Sequence, residues 1–192
     1  DDGDGRPVTM ELVSVDIGGT HARFAIATVA DDGTISLSEP ETLHTEDHAS
    51  FQTAWEDFRG RMGGSLPPRV SMAIAGPVGG DVIRFTNNPW IIRPALVESK
   101  LGVSRYTIVN DFEAVAHAVA RASEDEFLHL TGPEGPLKPT GRLSVLGPGT
   151  GLGVAGRAAE RCFDFAVFGV GHVARRDRVG QGRPRHQARG HR

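Results

Sequence analysis

The amino-terminal part of the chain alternates between hydrophobic and polar positions in a way that favours strands. Residues 12–15 alternate weakly, and residues 23–29 follow a Gly-Gly-Thr turn as a hairpin-like return. After a second turn at Asp31-Asp32-Gly33, residues 34–43 can form a third strand. The chain is therefore predicted to open with a meander of strands.

Beyond this meander the hydrophobic spacing becomes that of helices separated by strands. Asp47 is the predicted N-cap of a helix that Gly63-Gly64 ends, and residues 70–75 are predicted to form a buried strand. The further predicted elements are a strand over 81–85, a short helix over 94–101 closed by Gly102, a strand over 106–109, and a helix after it. The positions expected to be buried in the two longer helices are Phe51, Ala54, Trp55, Phe58 and Met62, and then Phe112, Val115, Ala116, Val119 and Ala120.

This order of elements predicts the fold class. Hairpin strands followed by alternating helices and strands are the layout of a mixed sheet with flanking helices, as in a ribonuclease-H-like domain. Periodicity alone establishes only α/β. Residues 154–167 have the pattern of another strand pair rather than of a helix.

Composition indicates a globular chain and excludes several classes of protein. The 192 residues are 39% hydrophobic, which is enough for a core, and no apolar run approaches the roughly 20 residues that span a bilayer. A net charge of −3 gives no whole-chain reason to expect nucleic-acid or anionic-membrane binding. Cys162 is the only cysteine, so no intrachain disulfide is possible and a reducing cytoplasm fits.

One carboxylate stands where an apolar strand ends and an amphipathic helix begins. Asn110 and Asp111 occupy this junction, where α/β enzymes often keep a base. Asp111 can accept the proton of an attacking hydroxyl, and Asn110 can both donate and accept hydrogen bonds. The pair also suits capping of the helix that follows, and the two roles are compatible.

Two glycine loops bracket this pair. Gly18 and Gly19 allow backbone N–H groups to turn toward phosphate oxygens, and Thr20 adds a hydroxyl donor. Asp16, at the end of the first strand, suits Mg²⁺ held through water. The second loop is Gly147-Pro148-Gly149-Thr150-Gly151. Each loop alone is compatible with a plain turn, but the two together around Asn110-Asp111 indicate a sugar kinase.

Other nucleotide folds fit the residues less well. The chain has no Gly-x4-Gly-Lys-Ser/Thr motif, and its only lysines are Lys100 and Lys138, which excludes a P-loop NTPase. A Rossmann fold would need a helix after the second glycine loop, where a strand pair is predicted. The histidines have no metal-ligand spacing with the cysteine, so no zinc site is predicted.

Five segments together resemble one enzyme family. They are VDIGGTHARFAIA (15–27), SMAIAGPV (71–78), TNNPW (86–90), IVNDFEAVAHAVA (108–120) and LGPGTGLGVA (146–155). In order and spacing this set resembles the bacterial glucokinases of the ATP-dependent hexokinase family, within the actin, sugar-kinase and heat-shock-ATPase superfamily. DIGGT alone would indicate only the superfamily. The resemblance implies an actin-like ATPase fold with a small and a larger domain hinged over a cleft.

The resemblance also implies an activity: ATP-dependent phosphorylation of D-glucose at the 6-hydroxyl, the first step of glycolysis, with Asp111 as the catalytic base. Glucose is expected at Asn110, Asp111, Asn88 and His172, with the TNNPW segment as cleft wall and Trp90 packed beneath. ATP is expected at Val15, Asp16, Ile17, Gly18, Gly19, Thr20, Gly149, Thr150 and Gly151, and Mg²⁺ at Asp16. A cytoplasmic homodimer without nucleic-acid or membrane partners is implied.

The resemblance ends after Ala155. Bacterial glucokinases continue to a Glu-Gly-Gly-His motif that binds glucose, whereas Gly169 stands here in place of the Glu and His172 matches the His. We expect a disordered extension over 1–9 with the natural start at Met10, a small domain over 10–111, and an incomplete start of the large domain over 112–174. Residues 175–192 are expected to be a disordered or out-of-frame Arg- and Gly-rich tail.

Charge changes abruptly at this point as well. Residues 156–192 hold nine Arg and three acidic residues, a net charge of +6, whereas residues 1–155 carry −9. We interpret this end as a shifted reading frame in GC-rich coding sequence, with a functional basic tail as the alternative. The second hypothesis for function is then a catalytically inert fragment with at most weak sugar or nucleotide binding. A superfamily ATPase without a sugar substrate is disfavoured by Asn110-Asp111 and TNNPW.

Overall fold

A computed structural model describes residues 9–85, 87–132, 135, 142–148, 152–158 and 161–163. Its strands are β1 (Met10–Ile17), β2 (His21–Val29), β3 (Ile35–Leu37), β4 (Glu41–His44), β5 (Arg69–Ile74), β6 (Ile83–Arg84), β7 (Ile91–Ile92), β8 (Arg105–Asn110), β9 (Arg142–Pro148), β10 (Leu152–Ala158) and β11 (Arg161–Phe163). Its α-helices are α1 (Phe51–Arg61), α2 (Val97–Leu101) and α3 (Asp111–Val119), with 3₁₀ turns at Thr45–Asp47, Pro94–Leu96 and Glu124–Glu126. The predicted extension over 1–9 lies almost wholly outside the described residues.

The largest sheet is mixed, as the order of elements predicts. Its strands run β3-β2-β1-β5-β8, with β4 also pairing with β2. β1 and β2 are antiparallel, whereas β1, β5 and β8 run parallel. In this register Ile17 lies beside Ile74, and Ile74 beside Asn110, so the carboxyl ends of the three parallel strands meet at one edge.

The core lies between this sheet and α1. Phe24 on β2 stacks with Phe51 and Phe58 of α1, at centroid distances of 6.1 and 5.0 Å. Trp55 is fully buried, and its indole N–H donates to the Leu101 carbonyl at 3.1 Å, which ties α1 to the end of α2. As predicted, the short helix ends at Gly102, whose φ of 68° is left-handed and suits glycine. Burial of large aromatic side chains therefore holds α1 on the sheet.

Two predicted boundaries are wrong. The single strand predicted over 34–43 is two strands, β3 and β4, which pair with successive parts of β2. Pro40 lies between them, and its lack of an amide hydrogen prevents a continuous ladder. Asp47 is not the N-cap of α1 either, because it lies in the 3₁₀ turn. Ser50 takes that place, with its hydroxyl accepting from the Thr53 N–H at 3.2 Å.

Three predicted core positions are also wrong. Met62 is 37% exposed because α1 ends at Arg61 and the chain turns away at that point. Val115 is 44% exposed and Ala120 is exposed as well, since the side of α3 that packs inward is the one bearing Ala116. The buried stripe of α3 is therefore narrower than its hydrophobic periodicity predicts.

A three-stranded antiparallel sheet of order β11-β10-β9 packs on α3. It confirms the strand pair expected after the second glycine loop, as far as the described residues extend. Gly147 on β9 lies directly against the Phe112 ring, where any Cβ would overlap the ring. The end of β9 is thereby held next to the beginning of α3. None of the helices that the structure describes is long and apolar enough to cross a membrane.

Candidate active site at the carboxyl edge of the sheet

The candidate site lies where β1, β5 and β8 end together. The chain leaves β1 through the Gly18-Gly19-Thr20 turn, leaves β5 through Ala75 and Gly76, and passes from β8 directly into α3. The Ala75 N–H donates to the Ile17 carbonyl at 3.0 Å, which keeps the first two strand ends in register. Ligands of open α/β sheets bind at such an edge. The sheet therefore brings the first glycine loop and the Asn110-Asp111 pair together.

The Gly-Gly-Thr turn is tight and closely packed. The Gly18 N–H donates to the His21 carbonyl at 2.9 Å, closing the turn between β1 and β2. A Cβ on Gly19 would lie 3.1 Å from the Asn87 Cβ, so a side chain here would push the neighbouring loop away. The Thr20 hydroxyl is hydrogen-bonded to the His21 ring Nδ1 at 2.9 Å. Val15 and Ile17 bury their side chains in the core, which leaves only their backbone for the nucleotide contacts predicted there.

Asp16, the predicted magnesium residue, faces an arginine across the hairpin. The Arg23 guanidinium donates to the Asp16 carboxylate at 3.0 Å, and the two residues are directly opposite in the β1–β2 register. Both side chains are about half exposed. No sequence motif marks this pairing, which follows from the β1–β2 register.

Asn110 is the N-cap of α3. Its amide nitrogen donates to the carbonyls of Ile74 (3.4 Å) and Gly76 (3.1 Å), and its side-chain oxygen accepts from the Phe112 N–H at 3.0 Å. The capping role is thus observed, and it also joins β5 to α3. The side-chain amide group of Asn110 is thus already hydrogen-bonded to two backbone carbonyls. Sugar binding by Asn110 stays a prediction.

Asp111 is the first residue of α3 and is partly buried. Burial raises the pKa of its carboxyl above the ordinary value, and the nearby negative charge of Asp16 raises it further. These effects outweigh the opposing hydrogen bonds to the carboxyl, of which the one from the Phe112 N–H, at 3.0 Å, lowers the pKa most. A carboxylate that binds its proton more tightly than usual is suited to act as a base.

Asn88 and Trp90 support the site from the side. The Asn88 amide donates to the Gly18 carbonyl at 3.2 Å, and its oxygen accepts from the Trp90 N–H at 2.9 Å. Trp90 is buried as predicted, and its indole N–H donates to the His48 carbonyl at 2.8 Å. Direct sugar contact by Asn88 stays a prediction, whereas Thr86 lies outside the described residues.

The remaining predicted site residues fall outside the described part of the chain. They are Gly149, Thr150, Gly151 and His172. Gly147, at the described end of β9, lies against the Phe112 ring, and Phe112 is next to Asp111. The strand that leads into the second glycine loop therefore ends close to the site. Thr45, whose hydroxyl donates to the Gly19 carbonyl at 2.9 Å, is a site residue that the sequence interpretation missed. No local motif marks it, since β4 brings it there from a distant part of the sequence.

The raised pKa of Asp111 predicts a pH-dependent cost to stability. The folded protein holds the proton of the Asp111 carboxyl more tightly than the unfolded chain does. Stability is therefore lost as the pH rises through the raised pKa. Asp111→Asn keeps the side-chain oxygen that accepts from Phe112 and removes the charge. We expect its stability advantage over the parent to be near zero at pH ~4 and to grow toward pH ~7. Urea unfolding across this range measures the difference.

Asp57 is the matched control, because its pKa shift has the opposite sign. Hydrogen bonds from Arg61 and then from His48 lower the pKa of the Asp57 carboxyl. Its stabilisation is therefore present above the ordinary pKa and lost as the pH falls through the lowered one. Asp57→Asn should be less stable than the parent near pH ~7, by an amount that shrinks on acidification. If both variants change stability with the same sign at neutral pH, the assignment to Asp111 burial is wrong.

Comparison with known proteins identifies close relatives. The profile of the glucokinase family matches residues 13–174. A glucokinase of Zymomonas mobilis is 50% identical over 166 residues, covering 85% of this chain and 51% of the relative. A glucokinase of Saccharophagus degradans is 37% identical, covering 76% of this chain and 45% of the relative. The chain thus spans about half the length of the curated relatives it matches.

A solved structure supports the fold assignment. The crystal structure of glucokinase from an Antarctic psychrotroph has a TM-score of 0.69 and 27% identity, covering 79% of this chain and 48% of the other. The predicted fold class, an α/β mixed sheet of the actin-like ATPase type, is confirmed. The predicted family resemblance is confirmed as well. Its predicted end after Ala155 is wrong, because the family profile matches as far as residue 174.

Proposed function

Because the chain belongs to the glucokinase family, we propose that its protein transfers the γ-phosphoryl group of ATP to the 6-hydroxyl of D-glucose. The observation that carries this proposal is the position of Asp111. Its partly buried carboxylate lies at the carboxyl edge of the sheet, close enough to Asp16 for that charge to raise its pKa. The end of β1, which leads into the Gly-Gly-Thr turn, lies at the same edge, separated from β8 by β5.

Asp111 acts as the base in this proposal. Its carboxylate accepts the proton of the sugar 6-hydroxyl as that oxygen attacks the γ-phosphorus, and the bond from phosphorus to the bridging oxygen of ADP breaks. The Phe112 N–H donates to the Oδ1 atom of this carboxylate, and the proposal assigns the sugar proton to Oδ2. The raised pKa makes Asp111 a better proton acceptor than an exposed aspartate.

The Gly-Gly-Thr turn is the proposed phosphate site. Its short side chains let a phosphate approach the backbone, and backbone N–H groups of Gly19 and Thr20 are the donors. Asn110, Asn88 and His172 are the proposed sugar residues, and Gly149, Thr150 and Gly151 the proposed second nucleotide loop. We further propose that residues 10–111 form the small domain and residues 112–174 the start of the large one.

The residues present fit a magnesium ion. Asp16 offers a half-exposed carboxylate, and Asp111 adds a second carboxylate at this edge of the sheet. No cluster of three or more potential metal ligands occurs among the described residues. Mg²⁺ is usually bound by one or two carboxylates together with water and substrate phosphates. Asp16 would hold the ion, which neutralises phosphate charge when bound. Arg23 covers part of that carboxylate.

The test is glucose-dependent formation of ADP and glucose 6-phosphate by the 192-residue chain. D-Xylose is the matched control sugar, since it shares the ring hydroxyls but has no 6-hydroxymethyl group. We expect turnover with glucose, at a rate on the order of 1–100 s⁻¹ for a competent kinase, and none with xylose. ATP hydrolysis that glucose does not change would contradict the proposal. Binding of glucose or ATP without transfer would favour the inert-fragment hypothesis instead.

A further inference from the structure

We propose that Thr45, supported by Asn88, is a positioning residue that orients the backbone of the Gly-Gly-Thr turn toward phosphate. This inference rests on the proposed function of the turn and adds a residue from outside it. Thr45 begins the 3₁₀ turn after β4, 25 positions beyond Thr20 in the sequence. It is 3% exposed, so its hydroxyl is buried against the turn and does not face solvent.

Three consecutive carbonyls of the turn accept hydrogen bonds from these two residues. The Asn88 amide donates to the Gly18 carbonyl at 3.2 Å, and the Thr45 hydroxyl donates to the Gly19 carbonyl at 2.9 Å. The Thr45 backbone N–H donates to the Thr20 carbonyl at 3.0 Å. Such a run of bonds holds the carbonyl side of the whole turn.

Because the peptide group is planar, these hydrogen bonds also fix the directions of the N–H groups in the turn. In a trans peptide the carbonyl of one residue and the N–H of the next point in opposite directions. A fixed Gly18 carbonyl therefore fixes the Gly19 N–H, and a fixed Gly19 carbonyl fixes the Thr20 N–H. With the carbonyls turned to Asn88 and Thr45, both N–H groups face away from them. These are the two donors that the proposed function assigns to phosphate.

Asn88 and Thr45, which donate to the carbonyls of the turn, are themselves held in place. The Asn88 side chain is buried and its oxygen accepts from the Trp90 N–H at 2.9 Å, so the amide cannot rotate without losing that bond. Thr45 follows β4, which pairs with β2 from Phe24 to His21 and so ends beside the turn. Two glycines are free to adopt many backbone conformations, so an unsupported turn would lose entropy on binding phosphate. The bonds from Thr45 and Asn88 reduce that loss before the ligand arrives.

Thr45→Val tests the inference because it keeps the shape of the side chain and removes the hydroxyl. We expect it to weaken binding of Mg²⁺-ATP and of inorganic tripolyphosphate, measured by calorimetry, by about three- to tenfold. Thr45→Ser restores the hydroxyl and should bind both within about twofold of the parent. Tripolyphosphate has no adenine or ribose, so a change in its affinity reports on the phosphate contacts alone.

Thr53→Val is the matched control. The Thr53 hydroxyl also donates to a backbone carbonyl, that of Ser50 at 2.8 Å, but it does so at the start of α1. It should lower thermal stability without weakening phosphate binding. Equal weakening by Thr45→Val and Thr53→Val would overturn the inference, as would parental affinity of Thr45→Val or failure of Thr45→Ser to restore binding. Should Thr45→Val not fold, Thr45→Ala takes its place in the same comparison.

The outcomes also separate this inference from the proposed function. If the parent binds ATP but does not phosphorylate glucose, the proposed function fails while the Thr45 comparison still decides the inference. If the parent phosphorylates glucose and Thr45→Val binds phosphate normally, only the inference fails. If the parent binds neither ATP nor tripolyphosphate, the turn is no phosphate site and both fail.

Discussion

Asp111→Ala should lower the rate of glucose phosphorylation by about 10²–10⁴-fold, the usual contribution of a general base. The loss is expected in kcat, because the carboxylate acts on a proton that moves in the transition state. The Michaelis constant for ATP should change little. The N–H groups proposed to bind its phosphates belong to the Gly-Gly-Thr turn after β1, whereas Asp111 follows β8. A coupled assay of ADP release at saturating glucose measures both constants.

Asp111→Asn separates the proton acceptor from the shape of the side chain. It retains an oxygen to accept from the Phe112 N–H, so the start of α3 should be unchanged. It cannot serve as an ionised base and should lose nearly as much activity as the alanine variant. Asp125→Asn removes an exposed carboxylate in the 3₁₀ turn Glu124–Glu126 and is the control for loss of charge. An Asp111→Asn protein that keeps most of the parental rate would rule out Asp111 as the base.

Trp55→Ala should destabilise the fold by about 3–5 kcal/mol, the range for truncating a large buried aromatic side chain. Trp55 is 1% exposed and lies in the aromatic cluster with Phe51 at the interface of α1 with the sheet. Removing it leaves a cavity where α1, α2 and the sheet meet, and the Leu101 carbonyl loses its donor. Urea denaturation followed by far-UV circular dichroism gives the free energy of unfolding.

Trp55→Phe divides this effect into packing and hydrogen bonding. It keeps an aromatic ring but removes the indole N–H that donates to Leu101, and it should cost about 1–3 kcal/mol. Leu128→Ala is the surface control, because Leu128 is 83% exposed and its truncation should change stability by less than about 0.5 kcal/mol. Equal costs for Trp55→Ala and Leu128→Ala would show that α1 does not pack as described.

Local sequence was sufficient for much of the fold and for part of the site. The alternation of strands and helices, the turn at residues 18–20 and the strand-to-helix junction at Asn110-Asp111 all depend on neighbouring residues, and the structure has each of them. Besides the exposed helix positions such as Met62 and Val115, the predictions that were wrong concern boundaries: the break between β3 and β4, and the N-cap at Ser50 in place of Asp47. At such boundaries several nearby residues have similar intrinsic preferences, and pairing or packing with distant residues selects among them.

The amino-acid sequence alone was enough to identify the residues at the ends of the strands, because strand length and turn chemistry are local properties. Only the folded chain determined which of these residues act on one another. Asp16 and Asp111 are far apart in the sequence, yet the parallel register of β1, β5 and β8 places them at one edge, where burial and mutual charge raise the pKa of Asp111. Arg23 reaches Asp16 across a hairpin, and Thr45 reaches Gly19 from the end of β4. Hydrogen bonds and charge interactions depend on distance in space, which strand pairing decides and spacing along the chain does not.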